Sequence, residues 1–181
     1  MTPIKIAGAL SWLVCAAGSL FSAEWSAPVE VRHEDALCVS YEARLDGPYL
    51  VVRTTVGPGW HTFALDNKRR AEEKLAGQPA LSMDKATEIT PVSGLSTTAP
   101  WYQTAPKDFS RPELRMFSWG FERSAIFAAK ARRTAGPAKL AIRGQACTET
   151  ICKNVDLVVT VPVPAKAGPP EIDVKNLVAA H

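Results

Sequence analysis

The sequence lacks most of the motifs that mark a familiar catalyst. There is no serine nucleophile elbow, no glycine-rich phosphate loop and no carboxylate pair with a clear task, so the chemistries built on those motifs have nothing to stand on. Neither sign of charge dominates: 21 Lys and Arg are interspersed with 18 Asp and Glu, for a net charge of +3. That balance excludes the basic stripe of a nucleic-acid binder or of a protein held on an anionic membrane. Three methionines and no Met-rich run leave little for a copper(I) carrier. Past the N-terminus, no apolar run approaches the roughly 20 residues needed to cross a bilayer.

Hydrophobicity collects at the N-terminus. Lys5 precedes an apolar run from Ile6 to Ala17, and the small residues Ser22 and Ala23 follow. These are the features of a secretory signal, expected to occupy residues 1–23 with cleavage after Ala23. Trp12-Leu13-Val14 ahead of Cys15 lacks the small residue a lipoprotein signal requires, so no lipid anchor is expected. An uncleaved N-terminal anchor is the alternative. The expected location is periplasmic or secreted, and the remaining chain is one domain large enough to fold without disulfides.

Cys15 leaves with the signal, so the mature chain keeps Cys38, Cys147 and Cys152. An odd number means one thiol is free, pairs with another chain, or exchanges partners, and an exported compartment permits stable disulfides. Cys147 and Cys152 are close together, with Thr148-Glu149-Thr150-Ile151 between them. A staple over a loop of about six residues is worth roughly 2 kcal/mol in the chain-entropy model, whereas a bridge from Cys38 to either partner would give nearer 5 kcal/mol. So close a pair is better explained by exchange, in which one thiolate attacks a partner disulfide and its neighbour resolves the mixed disulfide. Lys153 adjoins Cys152 and would stabilise a thiolate there, which favours Cys152 as the exchange-prone sulfur; Glu149 opposes this. The spacing is not the two-residue thioredoxin motif, and a purely structural hairpin bridge stays open.

Two-residue alternation predicts strands on both sides of this pair. Leu140, Ile142, Gly144 and Ala146 share one face and Ala141, Arg143, Gln145 and Cys147 the other. Leu157, Val159, Val161 and Val163 lie opposite Cys152, Asn154, Asp156 and Thr160. Near the start, Val39, Tyr41, Ala43 and Leu45 alternate with Cys38, Ser40, Glu42 and Arg44; a turn at Asp46-Gly47-Pro48 leads into Leu50, Val52, Thr54 and Val56. Asp66 to Ala76 reads as a short helix capped by Asp66 and ended by Gly77, and Ser124 to Arg133 fits either a helix or a strand. Residues 90–112, rich in Pro, Ser and Thr, read as a long loop, and residues 165–181 as a flexible tail. The fold class expected is all-β, an antiparallel β-sandwich.

Ile142-Arg143-Gly144-Gln145-Ala146-Cys147, the short insert, Cys152 and the strand ending Val161-Pro162-Val163 resemble the N-terminal periplasmic domain of the thiol:disulfide interchange protein DsbD. Val56-Gly57-Pro58-Gly59-Trp60-His61-Thr62-Phe63 is similar to that family's glycine-aromatic element, and Ser118-Trp119-Gly120 before Ile126-Phe127 to its aromatic-glycine loop. The resemblance runs in order from about residue 30 to residue 164. It implies an immunoglobulin-like β-sandwich over residues 24–164 and a reversible disulfide passing reducing equivalents to exported, thioredoxin-like partners. It also implies an aromatic cap over the cysteines, carried here by Phe117 or Trp119, with His61 and Phe63 near the sulfurs. The chain departs from the family at Lys153-Asn154, where prolines are usual, and at Cys38, which has no counterpart. Full-length relatives continue into membrane and thioredoxin-like domains; this chain stops at His181 and would need a separate membrane electron-transfer protein as reductant.

Two further possibilities attach to the same residues. Cys147, Cys152 and His61 could meet at a metal, but the thiol spacing is at the edge of zinc geometry and a fourth ligand is not evident; no metal or cofactor is expected. Trp101, Tyr102, Phe117, Trp119 and Phe121 serve either core packing or partner docking. The alternative function is a non-enzymatic immunoglobulin-like binding or scaffold module with a structural hairpin bridge.

Overall fold

The computed structural model of the protein describes residues 24–80, 84–164 and 168–180; the expected signal lies outside them. In chain order the strands are β1 (Val29–His33), β2 (Ala36–Asp46), β3 (Tyr49–Val56), β4 (His61–Phe63), β5 (Glu88–Ser93), β6 (Leu95–Gln103), β7 (Lys107–Asp108), β8 (Trp119–Phe121), β9 (Ser124–Arg133), β10 (Lys139–Cys147), β11 (Cys152–Thr160) and β12 (Val178–Ala180). One helix, α1 (Asn67–Leu75), follows β4. The strands form two sheets in the orders β1-β2-β3-β9-β6-β12 and β11-β10-β4-β8-β7, with β5 also paired to β10. Every pairing is antiparallel. The chain is thus the all-β antiparallel sandwich expected from the strand pattern.

The two inner faces supply the core. Tyr41, Leu50, Val52, Phe127, Leu140, Ile142 and Val159 are fully buried. Each such aliphatic or aromatic side chain contributes about 1.5–3 kcal/mol, so one of them matches the whole entropic worth of a six-residue disulfide loop. The bridge is a minor part of what holds this fold.

Several elements differ from expectation. Ser124–Arg133 resolves as strand: β9 lies between β3 and β6, and its Ala125, Ala128 and Ala129 are buried, small enough for a strand covered on both faces. The stretch expected as a long loop is mostly sheet. Its Thr and Val residues favour strands, and its prolines fall where sheets tolerate them. Pro91 is on β5 beside a register shift, and Pro100 falls within a register shift of β6 against β9. Within the expected flexible tail, residues 168–180 lie against the first sheet: β12 pairs with β6 through Val178↔Gln103 and Ala180↔Trp101. Upstream, the buried Asp46 carboxylate accepts the backbone N–H groups of Glu171 and Ile172, each at 2.8 Å.

Helix α1 forms, but Asp66 does not cap it with its side chain. The carboxylate is instead committed to Gln103 Nε2 (2.7 Å) and to Arg70 (2.9 Å). Burial pushes the Asp66 carboxyl up, yet hydrogen bonds from Arg70 and Gln103 and the Arg70 charge together hold it below its ordinary value. The helix ends on Ala76 in the left-handed region at φ 49°, one residue before Gly77. Asn67 ties the helix start to the second sheet by accepting from Trp119 N at 2.7 Å.

Candidate functional site

The end of the second sheet places three residues side by side on its outer face. Cys147 closes β10 opposite Cys152 at the start of β11, and on its other side lies opposite His61 of β4. Directly opposed residues in antiparallel strands project to the same face with Cβ atoms about 4.5–5.5 Å apart. Cys147 and Cys152 are joined by a disulfide, with Cα atoms 4.1 Å apart. The turn between them is closed by Thr148, whose N–H donates to Ile151 O at 2.8 Å and whose Oγ1 accepts from the N–H groups of Thr150 and Ile151.

The alternation expected along these strands holds up to the turn. Ala146 is fully buried on the inner face and Cys147 faces outward. Even so, Cys147 is only 2 % exposed, whereas Cys152 is exposed. The difference arises because Cys147 is flanked by strands on both sides and covered, while β11 is an edge strand.

The cover is a second hairpin. Between β7 and β8 the chain runs out and back, with Phe109 N donating to Ser118 O (2.8 Å), Arg111 N to Met116 O (2.7 Å) and Ser118 N to Ser110 Oγ (3.1 Å). A short 3₁₀ turn over Pro112–Leu114 makes its tip. Phe109, Arg111, Met116 and Ser118 line a cavity of about 790 Å³ that also takes in His61, Cys147 and Cys152. Phe109 stacks on the His61 imidazole at 5.0 Å between centroids and 30° between planes; Phe63 meets the same ring edge-on at 5.2 Å. The Ser118 hydroxyl is buried with no hydrogen-bond partner among the described residues.

The aromatic side chains lining the cysteine cavity are Trp60, His61 and Phe109, and neither Phe117 nor Trp119. Alternation along the β8 arm turns these two away from the cavity. Trp119 is 8 % exposed within the core and lines a separate depression with Arg70 and Asp108, and Phe117 packs against the core. His61 and Phe63 lie on the same face of the second sheet as the cysteines. Gly120 lets β8 approach β4: a Cβ there would sit 2.0 Å from Thr62 O.

Lys153 does not serve Cys152. It lies opposite Ala146 and so shares the inner face, across the sheet from the disulfide. Its charge falls instead on Cys38, where burial raises the thiol and Lys153 and Arg32 partly offset that rise. Cys38 is a free cysteine with no exposed surface. A register shift in the β1–β2 pairing leaves it between Val31↔Val39 and Arg32↔Leu37, which breaks the alternation that would place it on a polar face.

His61 is half-buried, and desolvation lowers its pKa below the ordinary value. Asp84 and Glu122 pull it up and Arg111 adds to the lowering. The imidazole is thereby biased toward its neutral form. Among the described residues no group of three His, Cys, Asp or Glu side chains is arranged to hold a metal, and no helix is long and apolar enough to cross a membrane.

No family model matches the sequence, and no curated protein does. Among solved structures the chain is similar to the N-terminal periplasmic domain of ScsB from Proteus mirabilis, at 14 % identity and a TM-score of 0.49, with 76 % of this chain and 51 % of that chain covered. It therefore spans about half the length of that chain. It is also similar to the N-terminal domain of DsbD from Neisseria meningitidis in the reduced form, at 14 % identity and a TM-score of 0.44, with 80 % of this chain and 91 % of that chain covered.

Proposed function

We propose that the protein is an exported thiol–disulfide exchange domain whose Cys147–Cys152 pair cycles between dithiol and disulfide and passes reducing equivalents to thioredoxin-like partners. The observation that carries this is the asymmetry of the pair: one cysteine is exposed at a sheet edge and its bonded neighbour is buried in the wall of a cavity that Phe109 also lines. Exchange uses one reachable sulfur to attack and a neighbouring sulfur to resolve the mixed disulfide, and access favours the exposed one as the attacker.

In the reduced domain, the Cys152 thiolate attacks a partner disulfide. A Cys152–partner bond forms, the partner disulfide breaks, and one partner sulfur leaves as a thiolate. The Cys147 thiolate then attacks Cys152; the intramolecular disulfide forms and the second partner sulfur leaves. Two electrons pass to the partner, and the cysteines carry them without a cofactor. A separate membrane electron-transfer protein would restore the dithiol.

A structural role for the bridge is the competing reading. It is weakened by the turn itself, which Thr148 closes with its own hydrogen bonds. The test is a Cys147→Ser variant mixed with a thioredoxin-like protein in its disulfide form. A mixed disulfide through Cys152, resolved on a non-reducing gel and abolished in the double variant, is expected. Absence of any trapped species from both single variants would leave only the structural role.

A further inference from the structure

Resolution of the mixed disulfide needs Cys147 as a thiolate, yet Cys147 is almost fully buried. An ordinary thiol has a pKa near 8.5, and burial raises it further. At neutral pH the resolving step would stall unless a base stood within reach of that sulfur. Lys153 faces the other side of the sheet, and Glu149 is exposed on the turn.

We infer that His61 accepts the proton of the Cys147 thiol in the resolving half of the exchange. This inference rests on the redox reading of the cysteine pair. His61 lies directly opposite Cys147 in the β4–β10 pairing, on the same face. Its ring is held between Phe63 and Phe109, which fixes its plane against the cavity wall. Desolvation biases the imidazole toward its neutral, base-competent form. The charged groups facing it are Asp84 and Glu122, which favour the imidazolium, and Arg111, which opposes it. Lys107 sits 5.3 Å from the Phe109 ring, and Arg123 and Glu149 line the same cavity.

The step balances. The Cys147 S–H bond breaks and its proton goes to an imidazole nitrogen. The thiolate attacks Cys152, the Cys147–Cys152 bond forms, and the bond from Cys152 to the partner breaks. The partner sulfur leaves with the electron pair and takes up a proton from the imidazolium or from water.

The test uses the reduced protein in a Cys38→Ala background, so that two thiols react, with the small aryl disulfide dithiobis(nitrobenzoate) as probe. Attack by Cys152 releases one thionitrobenzoate at a rate proportional to the reagent; resolution by Cys147 releases the second at a rate independent of it. In the parent, the second phase is expected to rise with pH up to the titration midpoint of His61 and then level off. In His61→Gln it is expected to slow about 100-fold near neutral pH and to keep rising toward the thiol range, while the first phase changes less than twofold. An unchanged second phase and pH profile in His61→Gln, with the parent active, overturns the inference alone; so does an equal slowing of both phases. A parent that never releases the second equivalent overturns the redox reading itself. A direct proton NMR titration of His61 in the reduced parent adds a check needing no variant: a midpoint that differs from the kinetic plateau overturns the inference.

Discussion

Cys147 and Cys152 are directly opposed in one antiparallel pair, their Cα atoms 4.1 Å apart, yet Cys147 is 2 % exposed while Cys152 stands at the open edge of the sheet. Their reactivities should diverge accordingly. With Cys38→Ala as background, Cys147→Ser leaves Cys152 alone and should be alkylated by iodoacetamide at least about tenfold faster than Cys152→Ser, which leaves Cys147 alone. Mass spectrometry over a time course measures both rates; equal rates would mean that the cover over Cys147 is not effective in solution.

Phe109 stacks on His61 in the cavity that Cys147 lines, and its removal should show as access. In the Cys152→Ser protein, Phe109→Ala should raise alkylation of Cys147 several-fold while costing about 1–2 kcal/mol, since the ring is only half-buried. Trp119→Ala should do the opposite. Its ring belongs to the core, so unfolding in urea should show a loss of about 3–5 kcal/mol, with no selective gain in Cys147 reactivity under conditions where the protein stays folded.

One buried carboxylate anchors the start of the C-terminal segment, ahead of the pairing of β12 with β6. Asp46 accepts from the backbone of Glu171 and Ile172 and pairs with Arg44 at 3.2 Å. Asp46→Ala leaves those donors and a largely buried guanidinium without that acceptor, at a cost of roughly 3 kcal/mol. Limited proteolysis should then cut within residues 168–180 well before the rest of the domain, whereas the parent should resist there.

Asp66 gives a pH dependence whose sign is fixed by its partners. Its folded pKa lies below the ordinary carboxylate value because Arg70 and Gln103 outweigh the opposing effect of burial. The resulting stability is fully present above the unfolded pKa of about 3.9 and is lost as pH falls through the lower folded value. The stability difference between the parent and Asp66→Asn should be constant from about pH 5 to 7 and shrink below about pH 4. Urea midpoints across that range measure it; a difference that grows on acidification would reverse the assignment.

Much of the frame was legible in the sequence because it rests on long alternation. Nine-residue runs at Lys139–Cys147 and Cys152–Thr160 carry enough period-two signal to place both cysteines opposite each other and outward. What was hidden depends on short elements or tertiary partners. Phe109 sits between strands of two and three residues, too short for alternation to show which aromatic faces the sulfurs. Spacing around the Arg111–Met116 bridge was the one available signal, and it emerges only once the hairpin is recognised. β12 is three residues long and docks on β6, and the segment before it is held by Asp46, more than a hundred residues upstream. Lys153 adjoins Cys152 in sequence yet faces away from it, because neighbours on a strand project to opposite faces. Cys38 was displaced from the expected face by a bulge that leaves no mark in composition.

The central claim is that the Cys147–Cys152 bridge exchanges and does not merely staple. Equilibrating the protein against glutathione buffers and counting the reduced fraction gives its reduction potential. A value near about −200 mV, within range of exchanging pairs, is predicted; a value below about −300 mV, typical of inert structural disulfides, would contradict the account.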